Sequence, residues 1–279
     1  MYKTDFHVHV THPEISAEWE KIALKEPYFS LLSKSPKNKF ASIENIIDML
    51  SETGFNRAVI FGFGFNDLGL CAMTNDYVIE AARAYPDKIT GFISIPPNVK
   101  GMEKEISRCH DAGLKGIGEI FPESQSFSID DKNETKKLAG ICLERSLPLI
   151  IHTNEPVGHD YTGKSNISLR QIDAFIGNSQ NLKVVLAHWG GGLIFYEAMP
   201  EIREKYKDVY YDTAASPYLY DETIYKTALS LGIEDKIIFG SDYPLLSPLR
   251  YIQELEKIPF DIRNKILFKN AERLLNIAA

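Results

Sequence analysis

Short apolar runs alternate with amphipathic stretches along almost the whole chain. The runs cover residues 5–9, 57–63, 88–95, 114–121, 147–152, 182–188, 209–213 and 236–242. Apolar positions recurring three and four apart predict helices from about Ser42 to Gly54, near 75–85, and over 102–112, 134–146, 167–178, 193–207, 221–231 and 248–256. Ser42 is placed to cap the first of these and Gly54 to stop it. Eight strands each followed by a helix, repeating every 30 residues or so (about one βα unit), predict a closed parallel (β/α)8 barrel. A doubly wound sheet is the alternative. With no compositional break, residues 1–279 read as one domain, ended by a helix over 264–277. The stretch 11–41 breaks the rhythm. It is polar, carries Pro13, Pro27, Pro36 and a Lys-rich turn, and is too long for an ordinary βα loop, so it reads as an irregular insertion over the site or against a second subunit.

Composition adds little to this picture and removes several functions from it. Hydrophobic residues make up 44% and charged residues 25%, enough for a large core. A formal charge of −7 without a basic run argues against a nucleic-acid or membrane surface. Cys71, Cys109 and Cys142 are far apart and form neither a disulfide framework nor a thiolate zinc site, as expected of reduced thiols in the cytoplasm. No leader pattern follows Met1, and no apolar run approaches a membrane span. A small molecule is the expected partner, with self-association as a further option.

The candidate chemistry starts at Asp5-Phe6-His7-Val8-His9. Alternation along a strand would put Asp5, His7 and His9 on one face and Phe6 and Val8 on the other, with two imidazoles converging on one point. Four more polar residues end apolar runs: Glu119, His152, His188 and Asp242. Buried histidines and carboxylates are costly unless paired or ligated, and barrels collect their working residues at the C-terminal ends of strands. Gly62-Phe-Gly64 lacks the third glycine of a dinucleotide loop, with Asp67 in its place. The loop after His152 offers His159, Tyr161 and Lys164 as substrate contacts, and Phe63, Phe65, Trp189, Tyr218 and Tyr243 offer apolar walls beyond strand ends.

Together Asp5-Phe-His-Val-His9, His152-Thr-Asn, Ala187-His-Trp-Gly-Gly191, Phe239-Gly-Ser-Asp-Tyr-Pro244 and Asn270-Ala-Glu-Arg-Leu-Leu275 resemble the amidohydrolase superfamily. They are closest to the amidohydrolase 2 branch, which includes aminocarboxymuconate semialdehyde decarboxylase. The resemblance implies that His7, His9, His152 and Asp242 bind a divalent metal, zinc first, with manganese, iron or cobalt also suited to the donors. It implies that His188 polarises the substrate or binds a second ion. Glu119 resembles the bridging glutamate of TatD-like relatives, or else hydrogen-bonds within the barrel, so one or two ions per chain are expected. Asp242 would then move the proton and His188 would stabilise the oxyanion. The expected activity is hydrolysis of a small amide, ester or lactone. Non-oxidative decarboxylation with the same ligands is the first alternative, weakened because no arginine closely follows a strand end. A TatD-like phosphodiesterase and a non-catalytic binding protein stand behind it.

Overall fold

The computed structural model describes residues 1–35 and 40–276. The strands are β1 (Thr4–His9), β2 (Arg57–Phe61), β3 (Ile89–Gly91), β4 (Ile117–Ile120), β5 (Leu149–Ile151), β6 (Val184–Leu186), β7 (Val209–Asp212) and β8 (Ile237–Ile238). They pair in parallel and in order, as β1-β2-β3 and as β4 through β8. Two seams close the ring. Ile93 N donates to Gly116 O at 2.8 Å and accepts, through its carbonyl, from Gly118 N at 3.0 Å. On the other side Phe6 N donates to Phe239 O, and His9 N to Tyr243 O. A closed ring of eight strands is the predicted barrel and excludes the doubly wound sheet.

Alternation within each strand makes two apolar layers. Phe6, Val59, Phe61, Phe92, Ile150, Val185 and Ile238 fill the barrel, while Val8, Ala58, Ile60, Leu149 and Ile151 pack with the outer layer of helices. Each valine, leucine, isoleucine or phenylalanine among them contributes about 1.5–3 kcal/mol on burial. Ala271, Leu274 and Leu275 of the last helix join the inner cluster and close one end of the barrel. The predicted end of that helix at Ile277 lies outside the described residues.

The pairing of β1 with β2 corrects the simple alternation read from the sequence. Thr4 and Asp5 pair with Arg57 and Ala58, but Val8 and His9 pair with Ile60 and Phe61, so β1 holds one extra residue in a bulge. Phe6 therefore joins the inner cluster although His7 also points inward. Asp5 leaves the histidine face and accepts hydrogen bonds from Ser241 N and Ser241 Oγ. Burial pushes the Asp5 carboxyl up to about 7 against these hydrogen bonds.

The stretch after β1 is not irregular. It holds α1 (Pro13–Ala17), α2 (Trp19–Ala23) and α3 (Pro27–Lys34). Pro13 and Pro27, which read as breakers, stand in the first turns of their helices, where a missing N–H costs nothing. Glu26 accepts from Asn66 N and Asp67 N, both at 2.9 Å, and ties the insertion to the loop after β2. Pro36 and part of the Lys-rich turn lie outside the described residues. The next helix, α4 (Ile43–Thr53), begins with a Ser42–Asn45 capping box and ends at a left-handed Gly54, as its sequence predicts.

Candidate metal centre

All six predicted polar residues meet at the open end of the barrel. Their positions follow from where the strand ladder ends: His152 follows β5, His188 stands two residues past β6, and Asp242 lies four residues beyond β8. His188 and Asp242 adopt left-handed backbone, φ 56° and 65°. Such conformations cost about 1–3 kcal/mol in a non-glycine residue and are tolerated where the surroundings hold them. Gly240 permits the close approach of β8 to β1, since a Cβ there would lie 2.6 Å from His7 Cβ.

The donors form two triads, His7–His9–Asp242 and Glu119–His152–His188, with the ligand atoms within 4.8 Å of one another in each. His152 thus stands with Glu119 and His188, not with the three residues that the sequence resemblance groups with it. Glu119 lies between the triads. Its Oε2 is 3.8 Å from His7 Nε2 and 3.7 Å from His9 Nε2. Its Oε1 is 3.0 Å from His152 Nδ1 and 3.7 Å from His188 Nε2. Aromatic rings hold the imidazoles from outside the triads: Phe61 lies edge-on to both His7 and His9, Phe63 stacks on His9, and Phe121 lies 4.0 Å from His152.

Protonation follows from the hydrogen bonds. His7 Nδ1 is 2.8 Å from Asp212 Oδ2, and His188 Nδ1 is 3.0 Å from the carbonyl of Ala214. Both partners only accept, so each neutral ring carries its proton on Nδ1 and turns the Nε2 lone pair into the site. Donation from His188 Nε2 to an oxyanion, the expected role, would require that ring to carry a second proton. His152 Nε2 and His9 Nδ1 are buried without a hydrogen-bond partner.

Electrostatically the centre wants a cation. Burial opposes a charge on His7, but Asp212, Glu119 and Asp242 outweigh it and raise that imidazole to about 10. Burial likewise opposes ionisation of Glu119, and His152, His7 and His188 outweigh it, lowering the carboxyl to about 2. Asp242 is held below the ordinary carboxylate range despite burial, by His9, His7 and His188. Burial holds His152 below its ordinary value. Lone pairs aimed inward, a buried orphan nitrogen and ionised carboxylates form a donor set that fits a divalent metal.

A cavity of about 470 Å³ opens from this centre. His159, Tyr161 and Phe63 line it, together with Tyr28 and Leu32 of α3 and Tyr218. Trp189 does not line it. That indole is fully buried against Tyr225 and donates to Ser216 Oγ. Lys164 does not line it either, its ammonium donating to Val157 O and His159 O within its own loop. Among the described residues, no lysine or arginine lines the cavity. Asp212 is the residue that motif reading passed over. Its signal is its place as the last residue of β7, comparable to Glu119, which stands one residue before the end of β4.

A family model described as amidohydrolase matches residues 4–277. The chain belongs to the amidohydrolase family. No curated protein sequence matches this amidohydrolase. Among solved structures it is similar to 5-carboxyvanillate decarboxylase of Sphingomonas paucimobilis, with TM-score 0.81 and 15% identity over 99% of each chain. It is also similar to the 5-carboxyvanillate decarboxylase of Novosphingobium aromaticivorans, complexed with manganese and 4-hydroxy-3-methoxy-5-nitrobenzoic acid. That likeness has TM-score 0.74 and 16% identity over 99% of this chain and 96% of that one. The 2,6-dihydroxybenzoate decarboxylase of Rhizobium gives 0.70 and 15% over 99% of each. At these identities the likeness establishes the fold that this amidohydrolase shares with them.

Proposed function

We propose that this amidohydrolase is a metal-dependent hydrolase of a small uncharged carbonyl compound, an amide, ester or lactone with an apolar or cyclic body. The observation that carries the reading is the cavity's one-sided chemistry. Its floor presents the ionised carboxylates of Glu119 and Asp242, its walls are largely aromatic and aliphatic, and no described lining residue is a lysine or arginine. With Glu119 and Asp242 engaged by the metal ions, a carboxylate or phosphate carried elsewhere on the substrate would be desolvated against these walls with no described lysine or arginine to seat it. A neutral carbonyl compound meets no such penalty.

His7, His9 and Asp242 would hold one ion, and Glu119, His152 and His188 a second, with Glu119 spanning both. We read the metal as zinc, and manganese, iron or cobalt suits the same donors. A divalent ion held there lowers the pKa of water from 15.7 to about 7 and polarises a carbonyl. The remaining work belongs to the chain. Asp242 stays ionised at neutral pH, reaches the cavity, and can take a proton from the attacking water and return it to the leaving group. Phe63, Tyr28 and Tyr161 orient the substrate's apolar body and exclude bulk water.

Decarboxylation of an aromatic acid is the second reading, supported by the aromatic acids named for the neighbours of the same fold. Incubating the metal-loaded protein with aryl esters, lactones, anilides and hydroxybenzoates, and following both CO2 and hydrolysis products, separates the two. We expect hydrolysis products that disappear in Asp242→Asn. CO2 release from a benzoate, with no hydrolysis across the panel, would replace the hydrolase with a lyase.

A further inference from the structure

Asp212 ends β7 and is fully buried. One carboxylate oxygen, Oδ2, lies 2.8 Å from His7 Nδ1. The other, Oδ1, accepts from His188 N at 2.9 Å and Ala214 N at 3.0 Å. One side chain therefore grips a ring from the first triad and the backbone that carries a ring of the second. Building on the metal reading above, we propose that Asp212 is the positioning residue of the centre: it locks His7 in the one tautomer that can ligate and sets the place of His188.

The argument is one of donors and acceptors. An ionised carboxylate only accepts, so a neutral His7 must carry its proton on Nδ1 and leave Nε2 bare. Nε2 is the atom facing His9 Nε2 at 3.3 Å and both Glu119 Oε2 and Asp242 Oδ1 at 3.8 Å. An asparagine at 212 has the same shape but cannot satisfy both sides in this way. Its oxygen is required where two backbone N–H groups converge, which turns its NH2 toward His7 Nδ1. His7 must then accept at Nδ1 and carry its proton on Nε2, pointing into the metal site. The opposite amide orientation sets NH2 against two donors and is worse. An alanine removes the grip altogether and leaves His7 free to choose its tautomer.

Two variants therefore order differently by stability and by metal affinity. Asp212→Asn keeps the hydrogen bonds to His188 N and Ala214 N, so it should melt above Asp212→Ala. It should nevertheless bind Zn²⁺ more weakly than Asp212→Ala, and at least tenfold more weakly than the wild type, the lower end of the usual effect of such supporting contacts. The measurement is Zn²⁺ titration against a chromogenic chelator, beside thermal melts of the same samples. Affinity that simply follows stability, with Ala below Asn, overturns the tautomer lock and leaves Asp212 a packing group. Should neither variant fold, ¹⁵N spectra of the histidines in the zinc-loaded wild type decide the matter: the lock requires His7 bound through Nε2 with Nδ1 protonated, and coordination through Nδ1 refutes it. A wild type that takes up no Zn²⁺, manganese or cobalt fails the metal reading itself. Normal uptake by wild type and Asp212→Asn alike fails only the assignment of Asp212.

Discussion

Asp242 combines the three things a proton-transferring carboxylate needs here: it touches the cavity, it lies 3.5 Å from His9 Nε2, and His9, His7 and His188 keep it ionised in spite of burial. Replacing it by asparagine preserves the shape and removes the base. Turnover in Asp242→Asn should fall by about 10²–10⁴, with circular dichroism unchanged, and a variant that kept wild-type kcat would end its assigned role. Glu119 makes a separate prediction because its two oxygens face different triads. Elemental analysis should find about two ions per wild-type chain and about one in Glu119→Gln, as expected of a carboxylate shared in a two-metal site. One ion in both proteins would reduce Glu119 to a hydrogen-bonding partner of His152.

At the scale of elements, the site is walled by two segments far apart in sequence. The Tyr28 hydroxyl on α3 donates to Gly163 O at 3.0 Å, and its ring lies on Phe121 at 3.6 Å between centroids. The insertion and the loop after β5 therefore clasp each other over the cavity. Tyr28→Phe removes only that hydrogen bond and should lower stability by about 1 kcal/mol, read from denaturant melts. Tyr28→Ala also opens the wall, so KM for small substrates should rise while bulkier esters gain in kcat/KM. Unchanged selectivity in the alanine variant would mean that the clasp does not shape the substrate site. The prolines of this insertion show how local signals mislead: the same residue ends a helix from within and starts one from its first turn. Only the chain around Pro13 and Pro27 distinguishes these uses.

At the scale of the whole molecule, the centre joins β1, β4, β5, β6, β7 and the segment after β8, so occupancy of the site is linked to the stability of the barrel. Without an ion, His7 titrates near 10, above its ordinary 6.5. A raised imidazole stabilises the fold fully below about 6.5 and loses that contribution as pH rises through about 10. Chelated protein should therefore melt progressively lower from neutral to alkaline pH. The metal-loaded protein should be spared that loss, because a cation replaces the proton. Parallel melts with and without a chelator test this, and equal alkaline losses in both would refute the linkage.

Much of this was written into the chain itself. Alternating apolar runs and amphipathic stretches determined eight βα units, because strand and helix periods are local properties. Polar residues at the ends of those runs marked His7, His9, Glu119, His152, His188 and Asp242 as side chains that would meet, since a parallel barrel brings all such ends to one rim. The bulge in β1, which sends Asp5 to Ser241 and Phe6 inward, depends on the register against β2 and β8, and no spacing within β1 reveals it. The division of the donors into two triads, the grip of Asp212, and the withdrawal of Trp189 and Lys164 from the cavity were likewise decided only by tertiary structure. The physical reason is the same in each case: a hydrogen bond or a packed ring is settled by what lies across the barrel, and those partners are far away in the chain, His7 and Asp212 being 205 residues apart and Asp5 and Ser241 236.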